Sequence, residues 1–272
     1  MRSELIKLEG AGNDFLLGVG TWARRLDGES DLVRRLCDRR RGIGADGTLA
    51  LEAVGNDRVR LGYRNADGGE SDFCANGTRC AARAAVELLG CDPKLVVETG
   101  WADIPAEVDG AQVSLELPPP GSGPQDSGID DGKVTKGLSL LAVGVPHLVA
   151  ATHGLADLDM ESIAPPLRNH AALGAEGANV NFYEIASDGT VMVRTWERGV
   201  EGETLSCGSG MVSVALVVMA NNEVGRVELV PLSGDRLVVE ALGKPPVCTT
   251  RLTGPTRFVA RIDPSEDLLR DI

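Results

Sequence analysis

Two stretches of the chain, 133 positions apart at their cysteines, follow one plan. Residues 72–90 read DFCANGTRCAARAAVELLG and residues 205–223 read LSCGSGMVSVALVVMANNE. Each is a strand or loop, a Cys, two small or polar residues, a Gly, and then a helix-forming apolar run. The second run, Met211 to Met219, is apolar almost throughout, so its helix must be buried on most sides. The first, with Ala81, Ala82, Ala84, Ala85, Val86 and Leu88, makes a small-residue helix suited to close packing. One copy in each half points to duplication and to two similar domains facing each other.

Short strands surround these helices. Alternation marks Val59, Leu61 and Tyr63, then Val113, Leu115 and Leu117, then Val191 and Val193. Apolar and β-branched runs at 95–99, 179–185, 226–232 and 236–242 add more. The first clear helix is expected from Ser30 as N-cap, with Leu32, Val33, Leu36 and Cys37 on one face, stopping near Gly42. The strongest break is PPPGSGPQDSGIDDG, residues 118–132, which reads as a linker or a long exposed connection.

Composition narrows the function classes. With 27 Lys+Arg against 40 Asp+Glu the net charge is −13, which argues against nucleic acid or an anionic membrane as partner. At 3% aromatics there is little material for a base-stacking platform. No run approaches the ~18 apolar residues of a membrane span, and MRSELIKLEG lacks the apolar core of a secretion signal. The expectation is a cytoplasmic protein with reduced thiols.

The six cysteines, Cys37, Cys74, Cys80, Cys91, Cys207 and Cys248, lack zinc-knuckle spacing, and three His are too few to complete such a site. For any single cysteine the plain reading is a small buried residue. Cys74 and Cys207 differ because they open helices. There the unpaired first-turn N–H groups and the helix dipole favour a thiolate, and the same N–H groups can hold a carboxylate. Polar loops accompany both: Asn65-Ala66-Asp67-Gly68 before the first and Glu197-Arg198-Gly199 before the second. Such residues suit a zwitterionic amino acid, though Asn65 equally suits an Asx-turn and Glu197–Arg198 a solvated pair. His147, after an apolar run, is a candidate for proton exchange with a thiol or a hydrogen-bonded structural residue. Gly42-Ile43-Gly44-Ala45-Asp46-Gly47 spells the dinucleotide pattern but follows a helix and precedes a strand, the reverse of the order that pattern needs. In the loop Gly10 to Phe15, Asn13 either faces ligand or makes a turn. None of the five lysines (Lys7, Lys94, Lys133, Lys136, Lys244) lies in a recognisable pyridoxal phosphate motif.

GAGNDF, NADGGESDFCANGTRC, GVPH, GANVNF and ERGVEGETLSCGSG, in this order, make the chain resemble the diaminopimelate epimerase family over nearly its whole length. The resemblance implies an isomerase that needs no cofactor and no metal. It would interconvert LL- and meso-diaminopimelate on the route to lysine and peptidoglycan. It implies an α+β fold of two pseudo-symmetric domains, each a curved, mostly antiparallel sheet wrapped round a central helix, with the site in the cleft between them. The expected division is 1–117, with 255–272 returning to that domain, and 118–254. Cys74 and Cys207 match the catalytic thiols, with His147 and Glu197 helping to set their protonation. The α-amino and α-carboxylate end falls to Asn65, Ala75, Asn76, Gly208 and Ser209, and the distal end to Asn13, Asn179, Glu197 and Arg198. A small-molecule amino acid is the implied partner, and a homodimer is compatible with the family.

Three positions depart from the family pattern. Ala75 stands where Gly is common, harmless if no positive φ is needed. Val145 replaces an Asn before Pro146-His147, and Gly47 replaces a Gln that contacts the distal end in some members. The last two keep open an epimerase for another amino acid. A dithiol redox protein using Cys74 and Cys207, and a non-catalytic amino-acid-binding module, are the readings from other classes.

Overall fold

The computed structural model describes residues 4–129 and 137–270. Residues 1–3, Lys133, Lys136, positions 130–132 of the proline-rich connection and residues 271–272 lie outside them. The chain divides into two compact units, Met1–Leu115 with Pro255–Ile272, and Glu116–Gly254.

The first unit opens with strands β1 (Leu5–Gly10) and β2 (Asn13–Val19), joined by a two-residue turn in which Ala11 and Gly12 both have positive φ. That conformation matches the strand twist of a tight hairpin. Helices α1 (Thr21–Gly28) and α2 (Ser30–Cys37) cross to β3 (Gly47–Ala53), which runs parallel to β2. Strand β4 (Arg58–Asn65) returns antiparallel, helix α3 (Ala75–Leu89) crosses over, and β5 (Lys94–Glu98) lies parallel to β4. Strands β6 (Asp103–Asp109) and β7 (Gln112–Leu117) complete the run antiparallel, and the returning strand Arg257–Ile262 pairs with β1. Helix α3 touches every strand from β1 to β6, so the sheet curves round it. On the other face α1 and α2 bury Trp22, Leu26, Leu32, Val33 and Leu36 against Leu5 and Leu16.

The second unit repeats this order. Strands β8 (Gln125–Asp126), β9 (Ser139–Val143) and β10 (Val145–Ala151) pair antiparallel in turn. Helix α4 (Met160–Arg168) leads to β11 (Asn179–Ile185), parallel to β10, and β12 (Val191–Glu197) returns antiparallel. After the short β13 (Gly202–Thr204), helix α5 (Gly208–Asn222) crosses to β14 (Arg226–Val230), parallel to β12. Strands β15 (Leu237–Ala241) and β16 (Thr250–Pro255) follow antiparallel. Helix α5 is buried from Met211 to Met219, as its all-apolar sequence requires, and α4 covers the opposite face over Leu148, Val180, Phe182 and Trp196. The α+β expectation of two like units, each a curved and mostly antiparallel sheet round one helix, holds.

Four local readings are corrected. Helix α1 is present although no cap announces it: its N-cap is Gly20, with no side-chain hydrogen bond. Ser30 is the first residue of α2 rather than its cap. Its hydroxyl accepts from Arg64 Nη1 at 3.1 Å instead of capping a backbone amide. That helix ends at Cys37, five residues before Gly42, because Asp38 turns its carboxylate onto the amides of Arg40 and Arg41 at 2.7 Å each. The proline-rich connection also contains β8, paired with β9. Among the described residues no helix is long and apolar enough to cross a membrane.

Candidate active site

In the first unit the chain enters α3 extended at Cys74 (φ −141°, ψ 111°), which makes the cysteine the N-cap. Its Sγ accepts from the Gly77 amide at 3.4 Å, one of the first-turn N–H groups that lack an intrahelical partner. The thiol also lies 3.7 Å from Asn13 Oδ1, as donor to it. The direction of the Asn13 amide is fixed from behind. Its Nδ2 donates to Asp46 Oδ2 at 2.7 Å, a carboxylate that can only accept, so the carbonyl end must face Cys74. Asp46 is itself held by Arg39 at 2.6 Å, which also grips Asp14. Burial pushes the Asp14 carboxyl up, but the Arg39 and Lys7 cations outweigh it and hold it below the ordinary value. Asn76 joins the group: its Nδ2 reaches Asn13 Oδ1 at 3.4 Å, and its Oδ1 accepts from the fully buried Arg79 at 2.8 Å.

Ala75 is the first residue of α3 and has no positive φ, so the alanine is carried without strain. Asn65, by contrast, is exposed at the end of β4 and accepts from the Tyr63 hydroxyl at 2.7 Å, apart from the Cys74 group. Gly47 has its own local reason. A Cβ there would lie 2.5 Å from the Arg64 carbonyl and 2.7 Å from the Tyr63 ring, so Tyr63 occupies the space a longer side chain would need.

In the second unit Cys207 is the N-cap of α5, also extended (φ −110°, ψ 109°), and is 6% exposed. Its Sγ stands 3.5 Å from Ser209 Oγ, which is 3.1 Å from His147 Nε2. His147 lies within β10, fully buried, with Nδ1 3.2 Å from Asn181 Nδ2. Burial, with a smaller contribution from the Arg198 charge, pushes its pKa down to about 3. The imidazole is therefore neutral at pH 7. Asn179, the register partner of His147 on β11, accepts the Arg198 amide on its Oδ1 at 2.7 Å and so shapes the turn after β12. Glu197 ends β12 and accepts from Thr204 Oγ1 at 3.0 Å. The Arg198 guanidinium is only 3.2 Å from exposed Glu176, a surface pair of low worth that a ligand carboxylate can displace.

Each cysteine motif thus gathers its own group: Asn13, Cys74, Ala75 and Asn76 in one unit; His147, Cys207, Gly208 and Ser209 in the other, with Asn179, Glu197 and Arg198 along the β11–β12 ends. The four remaining thiols sit where burial disfavours ionisation. Burial, with the Asp14 and Asp46 charges, pushes Cys37 up to about 12, and burial also raises Cys80, Cys91 and Cys248. Sequence reasoning passed over Asp46, Arg39, Asn181 and Thr195. The signal for Asn181 was available: alternate residues of a strand share a face, so Asn179 and Asn181 place two amides among apolar neighbours, and such groups are there to be hydrogen-bonded.

The sequence pattern of the diaminopimelate epimerase family matches residues 5–115 and 139–259. The diaminopimelate epimerase of Methanothrix thermoacetophila is 36% identical, covering 99% of this chain and 98% of its own. That of Aquifex aeolicus is 32% identical over 87% of this chain and 89% of its own. Among solved structures, a putative phenazine biosynthesis PhzC/PhzF protein from Clostridium difficile superimposes with a TM-score of 0.74 at 13% identity, covering 96% of this chain and 98% of that one. At that identity the likeness speaks for the fold alone. Two repeated units, each with a cysteine at the N-cap position of its core helix, and a match across both halves leave one assignment: the chain belongs to the diaminopimelate epimerase family.

Proposed function

We propose that the chain interconverts LL- and meso-diaminopimelate by removing the α-proton with one of Cys74 and Cys207 and returning a proton from the other, without a cofactor. The observation that carries this is the repeated placement of a thiol as N-cap of a buried core helix, once in each unit. Inversion needs a base on one face of the α-carbon and an acid on the other. One sulfur, as thiolate, takes the proton; the other, as thiol, supplies one; the reverse reaction exchanges the roles. The α-proton is only weakly acidic, so the developing negative charge on the α-carboxylate must be stabilised. The first-turn amides at Ala75, Asn76, Gly208 and Ser209 serve this, since helix N-termini carry partial positive charge.

In this reading Arg198 exchanges Glu176 for the distal carboxylate, which its planar fork grips bidentately. Asn13 and Asn179 hold the loops that frame the distal end, Glu197 and His147 adjust the thiols, and Asn65 serves the α-amino and α-carboxylate end. The enzyme works in the cytoplasm on a lysine and peptidoglycan precursor, with a homodimer as its expected assembly. The test is a substrate panel in D2O: LL- and meso-diaminopimelate beside histidine, lysine, glutamate and ornithine, followed by α-deuterium incorporation. Exchange confined to diaminopimelate is the expected result. Faster exchange on another amino acid would transfer the activity to that substrate, which the Gly47 and Val145 departures make the natural competitor.

A further inference from the structure

Asn181 lies fully buried on β11, and its amide is committed at both ends. Nδ2 donates to the Leu148 carbonyl at 3.0 Å and stands 3.2 Å from His147 Nδ1, while Oδ1 accepts from Thr195 Oγ1 at 3.0 Å. A backbone carbonyl only accepts, so the nitrogen end of the amide must face Leu148, and its second hydrogen points at Nδ1. Nδ1 is therefore an acceptor. The neutral ring carries its single proton on Nε2, and that N–H donates to Ser209 Oγ at 3.1 Å. A hydroxyl that already accepts from His147 has its own hydrogen to give, and Cys207 Sγ is 3.5 Å away. The backbone reserves room for this amide: a Cβ on Gly210 would stand 2.4 Å from Asn181 Oδ1, so the glycine of the second cysteine motif is dictated by Asn181.

We propose that Asn181 is a positioning residue for Cys207: by fixing the Nε2–H tautomer of His147 it turns the Ser209 hydroxyl hydrogen toward the sulfur and favours the thiolate. The inference rests on the two-thiol reading only in giving that thiolate a use. A donor to a charged acceptor is the stronger kind of hydrogen bond, so the orientation of one hydroxyl shifts the ionisation of the thiol. The other charged groups near this helix end stay constant in the comparison: Glu197 and Arg198 at the end of β12, and the Arg194–Glu203 pair linking β12 to β13. Of these, Arg198 acts on His147 through space.

The first measurement needs no variant. Long-range proton–nitrogen spectra of the intact protein, with only three histidines to assign, report the tautomer of each ring. His147 is expected as neutral Nε2–H at every pH from about 5 to 9, whereas an unperturbed His would titrate there. An Nδ1–H tautomer or an imidazolium would overturn the proposal. The second measurement is the pH profile of Cys207 alkylation by iodoacetamide, read by peptide mapping. Asn181→Asp cannot donate to Nδ1, so the tautomer reverses and Ser209 gives its hydrogen to Nε2 instead. Alkylation of Cys207 at neutral pH should fall about tenfold, the loss of one hydrogen bond to a charged sulfur. In a Ser209→Ala background the same substitution should add nothing. A shift of equal size there would mean that the aspartate charge acts directly and would refute the relay. Both readouts are taken without substrate, so a chain inactive on diaminopimelate would leave this result standing by itself.

Discussion

Gly210→Ala tests the packing around Cys207 against its counterpart, Gly77→Ala, at the equivalent position of the other motif. An alanine within a helix normally gains about 1 kcal/mol over glycine. At position 210 that gain is opposed. The new Cβ would lie 2.4 Å from Asn181 Oδ1 and 3.3 Å from Cys207 Cβ, well inside ordinary contact. Overpacking of this kind costs about 1–3 kcal/mol, and displacing the amide weakens its three hydrogen bonds at about 1 kcal/mol each. The net expectation is a loss of about 2 kcal/mol, with kcat reduced at least about tenfold because the His147–Ser209 arm moves with Asn181. At position 77 the nearest atom is Leu49 Cδ2 at 3.0 Å, the end of a rotatable side chain, with Phe15 next at 3.5 Å. Gain and cost then nearly cancel, leaving stability within about 1 kcal/mol of the parent. Urea unfolding followed by tryptophan fluorescence measures both variants, since Trp22 lies in the core of the first unit and Trp196 in that of the second. A Gly210→Ala protein as stable and as active as the parent would refute the claim that Asn181 is rigidly placed. So would a Gly77→Ala variant that suffers more.

Burial holds the His147 pKa at about 3 in the folded chain against 6.5 when unfolded, so between those values the unfolded chain binds the extra proton. The stability contribution is complete above pH 6.5 and is lost as the pH falls toward 3; His147→Asn should flatten that slope in urea titrations at successive pH values. Arg64 bonds to the Asp27 and Gly68 carbonyls, the Ser30 hydroxyl and Glu70, tying the α1–α2 junction to the NADGG turn. Arg64→Leu strands those carbonyls and should cost about 2–4 kcal/mol in the same unfolding assay. Cys91→Ala should leave epimerisation within about twofold of the parent, because a buried thiol raised in pKa is a packing residue.

The repeated helices were legible because apolarity and the cysteine-to-glycine spacing are properties of contiguous residues. Helix α1 was not, since Gly20 caps it with no side-chain bond and TWARRLDG mixes charge with only three buried positions. Ser30 looked like a cap for lack of any sign that Arg64, 34 positions away, would claim its hydroxyl. The site shows the same limit. Residues beside the cysteines in sequence, Ala75, Asn76, Gly208 and Ser209, lie where spacing puts them. The residues that aim them, Asp46 behind Asn13 and Asn181 behind His147, arrive from other strands. His147 reaches Cys207 only through the Ser209 hydroxyl, and its protonation depends on burial, which no local pattern reports.

The central claim is that two thiols divide one inversion, one removing the α-proton and the other returning a proton. Cys74→Ala and Cys207→Ala, each prepared as the full chain and incubated with LL-diaminopimelate in D2O, test it most directly. The expected result is loss of meso product in both variants, with the fold intact by circular dichroism. Epimerisation at the parent rate in either variant would contradict it.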